Sequence, residues 1–398
     1  MPRLRLSSAD QQCIEHLATA FVNETIDQYM EHLEAAHTKH QALVSKKRWK
    51  EIKTRGNMTI YQDRHAEESV RRKVSFRTLL ETPGALTKMH VVMGLGHCEG
   101  LMEDAVYGSI APTEELMKIK TAYSSDGVVD CRILSPIVVP TPIEPLRELQ
   151  IKWCVNGSAP KVLSTTGIVH NRDFVYVESS GIVMTHSGER IGFNFLHSLE
   201  FEGVPDLGHL GLIRANLSIC SLFRQRHEGS VELFLQGYCD PLGDLTAGVA
   251  IITTAEAILS YSKVIRCGQM KKLNWVLNTN STIVYAQQPE VCCVCHKSPV
   301  GLLPKKFCRI CKGRVCYNCR RPQQLSFVDL HSRKVRQYKL SFCSGCVNAA
   351  FNTSTLEIAH DELVEENPMG SYEVDKESIS SVSSFRSSSD PSDMRFFA

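Results

Sequence analysis

The chain has 398 residues, 43% of them hydrophobic and 22% charged, which is the composition of a globular protein with a substantial core. The sequence contains no run of 18 apolar residues, so it predicts no membrane span. The first ten residues lack the apolar core of a secretory signal. We therefore expect a cytoplasmic, reducing location, where cysteines bind metal or stay free. The net charge of +2 combines unlike segments, since residues 292–346 carry 12 Lys and Arg against one acid and residues 355–398 carry 10 acids against 3 bases.

Residues 1–285 show the periodicities of one mixed α and β domain. A first helix is predicted from Ser8, which opens a capping-box pattern, to about Lys50, ending before Gly56. Alternating polarity predicts seven strands, and helical spacing predicts two short helices and a long apolar one. The strands are 58–62, 88–93, 148–155, 174–177, 190–196, 211–223 and 231–238, and the later helices are 98–107, 112–122 and 246–272. An antiparallel sheet around one long C-terminal helix tends to leave an apolar cavity.

Three short motifs in this region carry a family resemblance. They are Asn171-Arg172-Asp173-Phe174-Val175, Asp240-Pro241-Leu242-Gly243, and Trp49 followed by Gly56 and Met58-Thr59-Ile60-Tyr61. They resemble the strand signature, the turn before the last helix and the first helix-to-strand passage of the START lipid-transfer domain. The resemblance implies an α+β helix-grip fold, in which an antiparallel sheet surrounds a long C-terminal helix, with a pocket for one lipid or sterol.

The same region lacks the motifs of the common enzyme classes. The segment from Gly94 to Gly100 is glycine-rich, but its glycine spacing differs from that of a dinucleotide-binding loop. The sequence contains no Gly-x-Ser-x-Gly elbow, Walker loop or His-Glu-x-x-His motif. We therefore expect a binding protein and not an enzyme.

Nine of the 16 cysteines lie within residues 292–346, and eight of them form four Cys-x-x-Cys pairs. A structural zinc site takes four thiolates, so these eight cysteines predict two zinc ions. Only four residues separate the second pair from the third, and two such close pairs would crowd one ion, which favours a cross-brace. Cys293 is left over. The predicted ligands are Cys292, Cys295, Cys316 and Cys319 for zinc 1, and Cys308, Cys311, Cys343 and Cys346 for zinc 2.

This spacing, with Gly313 inside the short gap, resembles the FYVE zinc finger, which binds phosphatidylinositol 3-phosphate on endosomal membranes. The first arginine and both histidines of that family's basic motif are replaced here, so the finger is FYVE-like. The resemblance implies a lipid-headgroup site and a loop inserted into the membrane. The residues at the corresponding positions are Lys305, Lys306 and Arg309 for the headgroup, and Val300, Leu302 and Leu303 for the loop. A basic patch beside apolar residues makes a two-part membrane anchor; packing of the leucines onto the zinc core is the alternative.

Other partners are compatible with the basic, cysteine-rich segment. Relatives of the finger that lack the headgroup motif bind proteins such as small GTPases. RING-type ubiquitin ligases also use a cross-brace, normally with a histidine among the ligands, whereas all eight positions are Cys in this chain. Nucleic acid is another large anionic partner, but the segment lacks an aromatic stacking platform or a finger helix, which disfavours that interpretation.

Residues 355–398 form an acidic and then serine-rich tail, with nine serines among the 15 residues at 378–392. This composition predicts disorder, because it cannot bury enough apolar surface to offset the ordering entropy. Arg386 to Pro391 fits a motif that 14-3-3 proteins bind when Ser389 is phosphorylated, although serine-rich tracts match it easily by chance. A second hypothesis is that the acidic tail folds back on the basic segment and competes with membranes.

The predicted organisation is a START-like lipid-binding domain at residues 1–285, a FYVE-like zinc finger at 288–350 and a disordered tail at 355–398. The predicted function is a non-enzymatic adaptor that holds a lipid and docks on anionic membranes, peripherally on endosomes. The alternatives are a protein-interaction module that binds a partner through the finger, and a RING-like ubiquitin ligase.

Overall fold

The computed structural model describes residues 1–38, 44–66, 90–157, 170–227, 229–240, 242–243, 247–279, 290–298, 306–329, 332–365 and 373–374. The helices are α1 Ser8–Thr38, α2 Met102–Ser109, α3 Glu114–Ser124, α4 Ala247–Leu259, α5 Val264–Thr279, α6 Ser344–Asn352 and α7 Thr355–Val364, with 3₁₀ turns at Gly208–Leu210 and Ser260–Lys263. The strands are β1 Trp49–Arg55, β2 Met58–Asp63, β3 His90–Glu99, β4 Val128–Val138, β5 Glu148–Asn156, β6 Arg172–Met184, β7 Arg190–Ser198, β8 Ile213–Arg214, β9 Asn216–His227, β10 Ser230–Asp240, β11 Arg320–Asp329, β12 Val335–Cys343 and β13 Glu373–Val374.

Ten strands form one large sheet in the order β1-β2-β3-β10-β9-β7-β6-β5-β4. All neighbours along this order pair antiparallel, and the short β8 adds a parallel pair to β6 through Arg172 and Asp173. Side chains alternate between the two faces of each strand, and both faces are covered. We call the face that packs against α4 and α5 the inner face, and the face that packs against α1 the outer face.

The outer face is covered by the first helix. α1 buries a row that begins at Ile14 and Ala18 and continues through Phe21, Ile26 and Tyr29, against alternate residues of the central strands. The inner face holds Ile219, Leu233 and Leu235, which pack against Ala255, Ile258 and Leu259 of the C-terminal helix. The sheet therefore holds the C-terminal helix on one face, and the predicted α+β helix-grip fold is confirmed.

Several predicted boundaries differ from the structure. The first helix ends at Thr38 instead of near Lys50, and Trp49 already opens β1. The helix cap is one residue earlier than predicted, because the Ser7 hydroxyl accepts the Asp10 backbone N–H at 3.1 Å. Strands β1 and β4 were missed, since each is an end strand of the sheet and carries charged residues on partly exposed faces.

The C-terminal helix is interrupted once, by the 3₁₀ turn Ser260–Lys263 between α4 and α5. By length and apolar composition alone, Gly248–Thr279 would suffice to cross a membrane. In this fold Ala255, Ile258, Leu259 and Leu273 are fully buried against the sheet and the finger, whereas Ile252 is exposed. The segment is thus the core helix of the body, and it extends beyond the predicted end at residue 272 to Thr279.

The cysteine-rich segment folds around an antiparallel hairpin of β11 and β12, followed directly by α6. β13 adds a parallel pair to β11, in which Glu373 and Val374 lie opposite Val328 and Asp329. The small core combines the cysteines with Leu325, Phe327, Leu340 and Phe342, and Met270 and Leu273 of α5 are part of the same cluster. We call residues 290–352 the finger and residues 1–279 the body.

The finger is docked on the body through a polar junction as well as through α5. Lys272, with a fully buried side chain, donates to Asp104 in α2 at 3.0 Å, to the Phe351 carbonyl at 2.7 Å and to the Thr355 hydroxyl at 3.2 Å. The Tyr123 hydroxyl accepts the Ser326 backbone N–H at 2.7 Å. α5 is therefore shared by both cores.

The start of the predicted disordered tail is a helix. Residues 355–364 form α7, whose first turn is capped because the Ser354 hydroxyl accepts the Glu357 N–H at 3.3 Å. Ile358 and Ala359 are buried in the inner-face core, and the Tyr107 hydroxyl donates to Glu362 at 2.5 Å. The prediction of disorder from residue 355 is thus wrong for this segment, because a short apolar face hidden among acids is enough to dock it.

Candidate functional site

A cavity of about 150 Å³ lies between the inner face, α3 and the C-terminal helix. Its walls are mainly apolar or aromatic and come from α3, from strands β5, β6, β7 and β9, and from both sides of the 3₁₀ turn. The lining residues that matter below are Lys120, Phe174, Tyr176, Asn194, Leu217 and Tyr261. Phe174 and Tyr176 reach it because they alternate on β6, which begins at the Arg172-Asp173 motif.

Buried charges lie beside this cavity. Glu178, on the inner face of β6, accepts hydrogen bonds from Lys120 and Lys152 at 2.8 Å each and from Asn194 at 3.1 Å. Lys152 also donates to Glu148 and, at 3.1 Å, to the Ala111 carbonyl. The side chains of Lys152, Glu148 and Glu178 are fully buried, so two lysines and two glutamates balance inside the body.

The charges of this network shift the pKa values of its members. Burial alone raises the pKa of Glu178, but the ammonium groups of Lys120 and Lys152 and their hydrogen bonds outweigh it and lower the pKa to about 2. Burial lowers the pKa of Lys120, but the nearby carboxylates, that of Glu178 above all, outweigh this effect and raise it. Burial likewise raises the pKa of Tyr176 and Tyr261 well above its usual range. The cavity therefore offers an ammonium group, an amide and two phenol groups to a polar head, beside apolar walls for a chain.

The motif residues that carry the START resemblance position this site and do not line it, apart from Phe174. Asp173 points to the outer face, where it accepts from the Trp153 indole at 2.9 Å and from Arg214 at 3.0 Å. Arg172 donates to the Leu242 carbonyl at 3.3 Å. Arg172 therefore ties the start of β6 to the turn that precedes α4, and Asp173 ties it to β5 and β8.

A second cavity, of about 390 Å³, lies on the outer side. It is lined by α1, the loop before β5 and the ends of β6 and β7, with Val22, Val183 and Phe193 among its apolar residues and Arg147 at its rim. Arg147 is held there by ion pairs with Glu15 and Glu144. By volume this cavity falls in the range of ligand pockets, about 300–1,000 Å³, and the inner cavity falls below it.

The eight predicted zinc ligands meet in two groups of four. The sulfurs of Cys292, Cys295, Cys316 and Cys319 lie within 4.8 Å of one another, and those of Cys308, Cys311, Cys343 and Cys346 do the same. The pairs alternate between the groups, which is the cross-brace that the spacing predicts. We call the first group site 1 and the second group site 2.

The donor set and its surroundings fit a zinc ion at each site. Four thiolates at tetrahedral reach are the ligands of a closed structural zinc site. Backbone N–H groups point at the sulfurs, since Cys316 N–H donates to Cys292 Sγ at 3.5 Å and Cys346 N–H donates to Cys343 Sγ at 3.3 Å. Although burial opposes it, such backbone donors lower the pKa of Cys292 to about 6, which favours the thiolate that binds metal.

The predicted membrane-binding residues are only partly within the described part of the chain. Lys306 and Arg309 flank Cys308 on a tight hairpin, closed by a Val315 N–H to Lys306 carbonyl bond of 2.9 Å, and both side chains are half-buried. Lys305, Val300, Leu302, Leu303 and the phosphorylation candidate Ser389 lie outside the described residues.

Sequence reasoning missed two exposed aromatic residues beside these bases. Phe307 is 45% exposed on the same hairpin, and Tyr317 is 76% exposed at the third cysteine pair. The Arg320 guanidinium lies 5.6 Å from the Tyr317 ring centre. Their position next to zinc ligands was no signal, since Phe342, which is also next to a ligand, is fully buried.

The buried charges of the inner face were also missed. Glu148, Gln150, Lys152 and Cys154 alternate along β5 with apolar residues, a pattern that ordinarily indicates a face in contact with water. Here that face is covered by α3 and the segment before it, so the polar residues lie inside. Only the partner residues on β6 and α3, distant in sequence, could have revealed this.

Comparisons with known proteins add a likeness of fold. No protein-family model matches the chain, and no curated protein matches it. Among solved structures it is similar to human StAR-related lipid transfer protein 5, at 15% identity over 65% of this chain and 98% of that one, with a TM-score of 0.42. It is also similar to the human StarD13 (DLC2) lipid transfer and protein localization domain, at 12% identity over 60% and 95% of the two chains, with a TM-score of 0.37. A STAR-related lipid transfer protein from Xanthomonas axonopodis matches at 14% identity over 55% and 97%, with a TM-score of 0.36.

Proposed function

We propose that this chain is a non-enzymatic lipid-binding protein whose body holds one lipid or sterol between the inner face and the C-terminal helix. The observation that carries the proposal is the inner cavity, because it combines apolar walls with a fully buried charge network reached through Lys120 and Asn194. Ligand sites typically pair apolar walls with a few placed polar groups.

The inner cavity must expand to hold a whole lipid, since about 150 Å³ is below the usual volume of such sites. The 3₁₀ turn Ser260–Lys263 provides a place for this, because 3₁₀ interruptions inside a helix often act as hinges. Rotation of α4 about that turn would carry away the wall formed by Thr254 and Ala257. The body would then open without breaking the contact of α5 with the finger.

Two cavity-filling variants test this site. Leu217→Trp fills the inner cavity and Thr19→Trp, at an exposed position, fills the outer one. Lipids extracted from purified full-length protein are identified by mass spectrometry. We expect Leu217→Trp to lose the bound lipid and Thr19→Trp to keep it. The reverse result would mean that the lipid binds in the outer cavity. If the unmodified protein contains no lipid, the proposal is wrong.

We further propose that two zinc ions build the finger, and that its basic hairpin docks the protein on anionic membrane, including membranes that contain phosphatidylinositol 3-phosphate. Support comes from the two four-cysteine sites and from Lys306, Arg309 and the exposed Phe307 on one hairpin. A basic residue near an anionic bilayer contributes about 1 kcal/mol. This proposal places the protein in the cytoplasm, peripheral to endosomal membranes.

Flotation with liposomes separates the alternatives. Lys306→Ala with Arg309→Ala should weaken binding about 30-fold, from about 2 kcal/mol, whereas the control pair Lys334→Ala with Lys339→Ala removes the same charge from the β11–β12 hairpin. Equal losses in both pairs would indicate nonspecific charge attraction. Binding that requires phosphatidylinositol 3-phosphate supports a FYVE-like site. Absence of binding favours a protein partner, such as a small GTPase, for the finger.

A further inference from the structure

Cys293, the ninth cysteine of the finger, turns away from the site that its neighbour helps to form. Cys292 belongs to site 1. The next residue opens a turn, and its backbone is tied to the hairpin at residues 306–315, because the Cys293 N–H donates to the Arg314 carbonyl at 2.9 Å. The Cys293 side chain packs against Gly313 of that hairpin, which also carries Cys308 and Cys311 of site 2.

The contact between Cys293 and site 2 is close. A methyl group placed on Gly313 would lie 2.6 Å from Cys293 Cβ, 2.8 Å from Cys293 Sγ and 3.4 Å from Cys311 Sγ. Only glycine at this position lets the two sulfurs approach.

A fifth thiol beside a complete site has no place in the coordination, because structural zinc takes four ligands. The four sulfurs of site 2 all lie within 4.8 Å of one another without Cys293. The Cys293 sulfur lies beside one edge of this group, because it approaches Cys311, whose sulfur is 3.9 Å from that of Cys343. A thiol hydrogen is a weak donor that such sulfurs can accept. The geometry therefore sets a free thiol against one edge of the tetrahedron.

We propose that Cys293 is a reserve ligand of site 2, which takes the place of Cys311 or Cys343 when either sulfur is blocked. In the exchange, the zinc–sulfur bond to the blocked residue breaks and a bond to Cys293 forms, and the Cys293 proton leaves to solvent. Zinc stays four-coordinate throughout, so oxidation or alkylation at that edge does not release the metal. The edge formed by Cys308 and Cys346 has no such replacement among the described residues.

Metal content of the purified full chain tests this, and it rests on the proposed zinc at site 2. The unmodified protein should contain two zinc ions, and fewer would remove the zinc proposal itself. Cys311→Ser and Cys293→Ser should each keep two, whereas the double variant should keep one. Cys308→Ser, opposite the reserve thiol, should keep one. If Cys311→Ser alone falls to one zinc while the unmodified protein has two, the reserve role is wrong and the zinc proposal stands.

Cobalt substitution gives a second readout, the number of sulfurs that coordinate the metal, which does not depend on how much metal is retained. The thiolate-to-metal absorption of bound Co²⁺ follows the number of coordinating sulfurs. Cys311→Ser should retain the intensity of the unmodified protein, because Cys293 restores the fourth sulfur. If the absorption of Cys311→Ser instead falls by the contribution of one sulfur, as it does in the double variant, then serine or water fills the position and the reserve role is wrong.

Discussion

The body and the finger are stabilised by different physics, although they share one helix. The body fills both faces of a ten-stranded sheet with apolar side chains, and several of its buried charges, such as Lys152 and Glu178, are paired. The finger contributes eleven buried residues to its core, three of them cysteines, which is too little for independent stability without metal. We infer from this difference that burial of apolar side chains is enough to fold the body, whereas the finger needs metal at its two sites to fold.

The largest expected effect follows from removing one metal ligand. Cys308→Ser should release zinc from site 2 and unfold the part of the finger that this site holds, while site 1 keeps its zinc, because metal binding supplies about 10–16 kcal/mol in such modules. Since Met270 and Leu273 of α5 are buried by the finger, the melting temperature of the body should fall as well. Hydrogen exchange of the full chain, resolved by segment, measures both.

Cys13→Ser is the matched control, since Cys13 is exposed on α1 and belongs to neither site. It should leave zinc content and exchange unchanged. Fast exchange confined to residues 290–352 in Cys308→Ser, with the body unaltered, would show that the junction contributes nothing to the body.

The charge network of the inner face should give the next largest effect. Glu178→Gln leaves two buried lysines with one glutamate, and breaking a buried pair costs about 3–5 kcal/mol. Because the folded pKa of Glu178, about 2, lies below the ordinary 4.5, this stabilisation is complete above pH 4.5 and is lost as pH falls towards 2. Urea unfolding at pH 7 measures it.

Glu114→Gln is the control for that experiment. Glu114 pairs with Arg132 at 3.1 Å, with both side chains at least 32% exposed, so its loss should cost no more than about 1 kcal/mol. Similar losses in the two variants would mean that the inner network is not as protected from water as its burial indicates.

The buried ion pair at the junction between body and finger should contribute about 3 kcal/mol to the free energy of unfolding. Lys272→Met removes the ammonium group and leaves Asp104 buried, where burial already raises the pKa of that carboxyl in spite of Lys272. Adding Asp104→Asn should recover part of the loss, since no unpaired charge then remains. A double-mutant cycle by thermal unfolding gives the coupling, and additive losses would argue against the ion pair.

Acid sensitivity should be concentrated in the body. His197 lies under α1 against Phe21, and burial lowers its pKa from 6.5 to about 4. The unfolded chain therefore binds more protons between pH 6.5 and pH 4, and stability falls by up to about 3 kcal/mol as pH drops through that window. His197→Leu should lose this component when both proteins are unfolded at several pH values; identical pH profiles would contradict it.

The sequence predicted what local spacing controls and missed what distant packing controls. The four Cys-x-x-Cys pairs led to both four-cysteine groups, because ligand spacing is a local property. The strands and the long helix followed from the apolar periodicity, and the helix-grip arrangement was implied by the resemblance to the START domain. Lys152 and Glu178 looked like surface residues, since the α3 that covers them is not adjacent in sequence. Ser354 to Glu357 has the capping-box spacing that begins α7, and the acidic composition around it concealed that signal.

The smallest expected effect concerns the opening of the body. Glu256 in α4 pairs with Lys53 and, at 2.8 Å, with Arg55 of the end strand β1, and these side chains are 36–49% exposed. Exposed pairs contribute at most about 1 kcal/mol each, so Glu256→Gln should barely change stability. If α4 moves about the 3₁₀ turn to admit lipid, the variant should exchange a fluorescent lipid with vesicles up to about fivefold faster, from about 1 kcal/mol. Glu189→Gln, which breaks an ion pair with Arg224 on the sheet, should leave exchange unchanged, and equal acceleration in both variants would contradict a latch at α4.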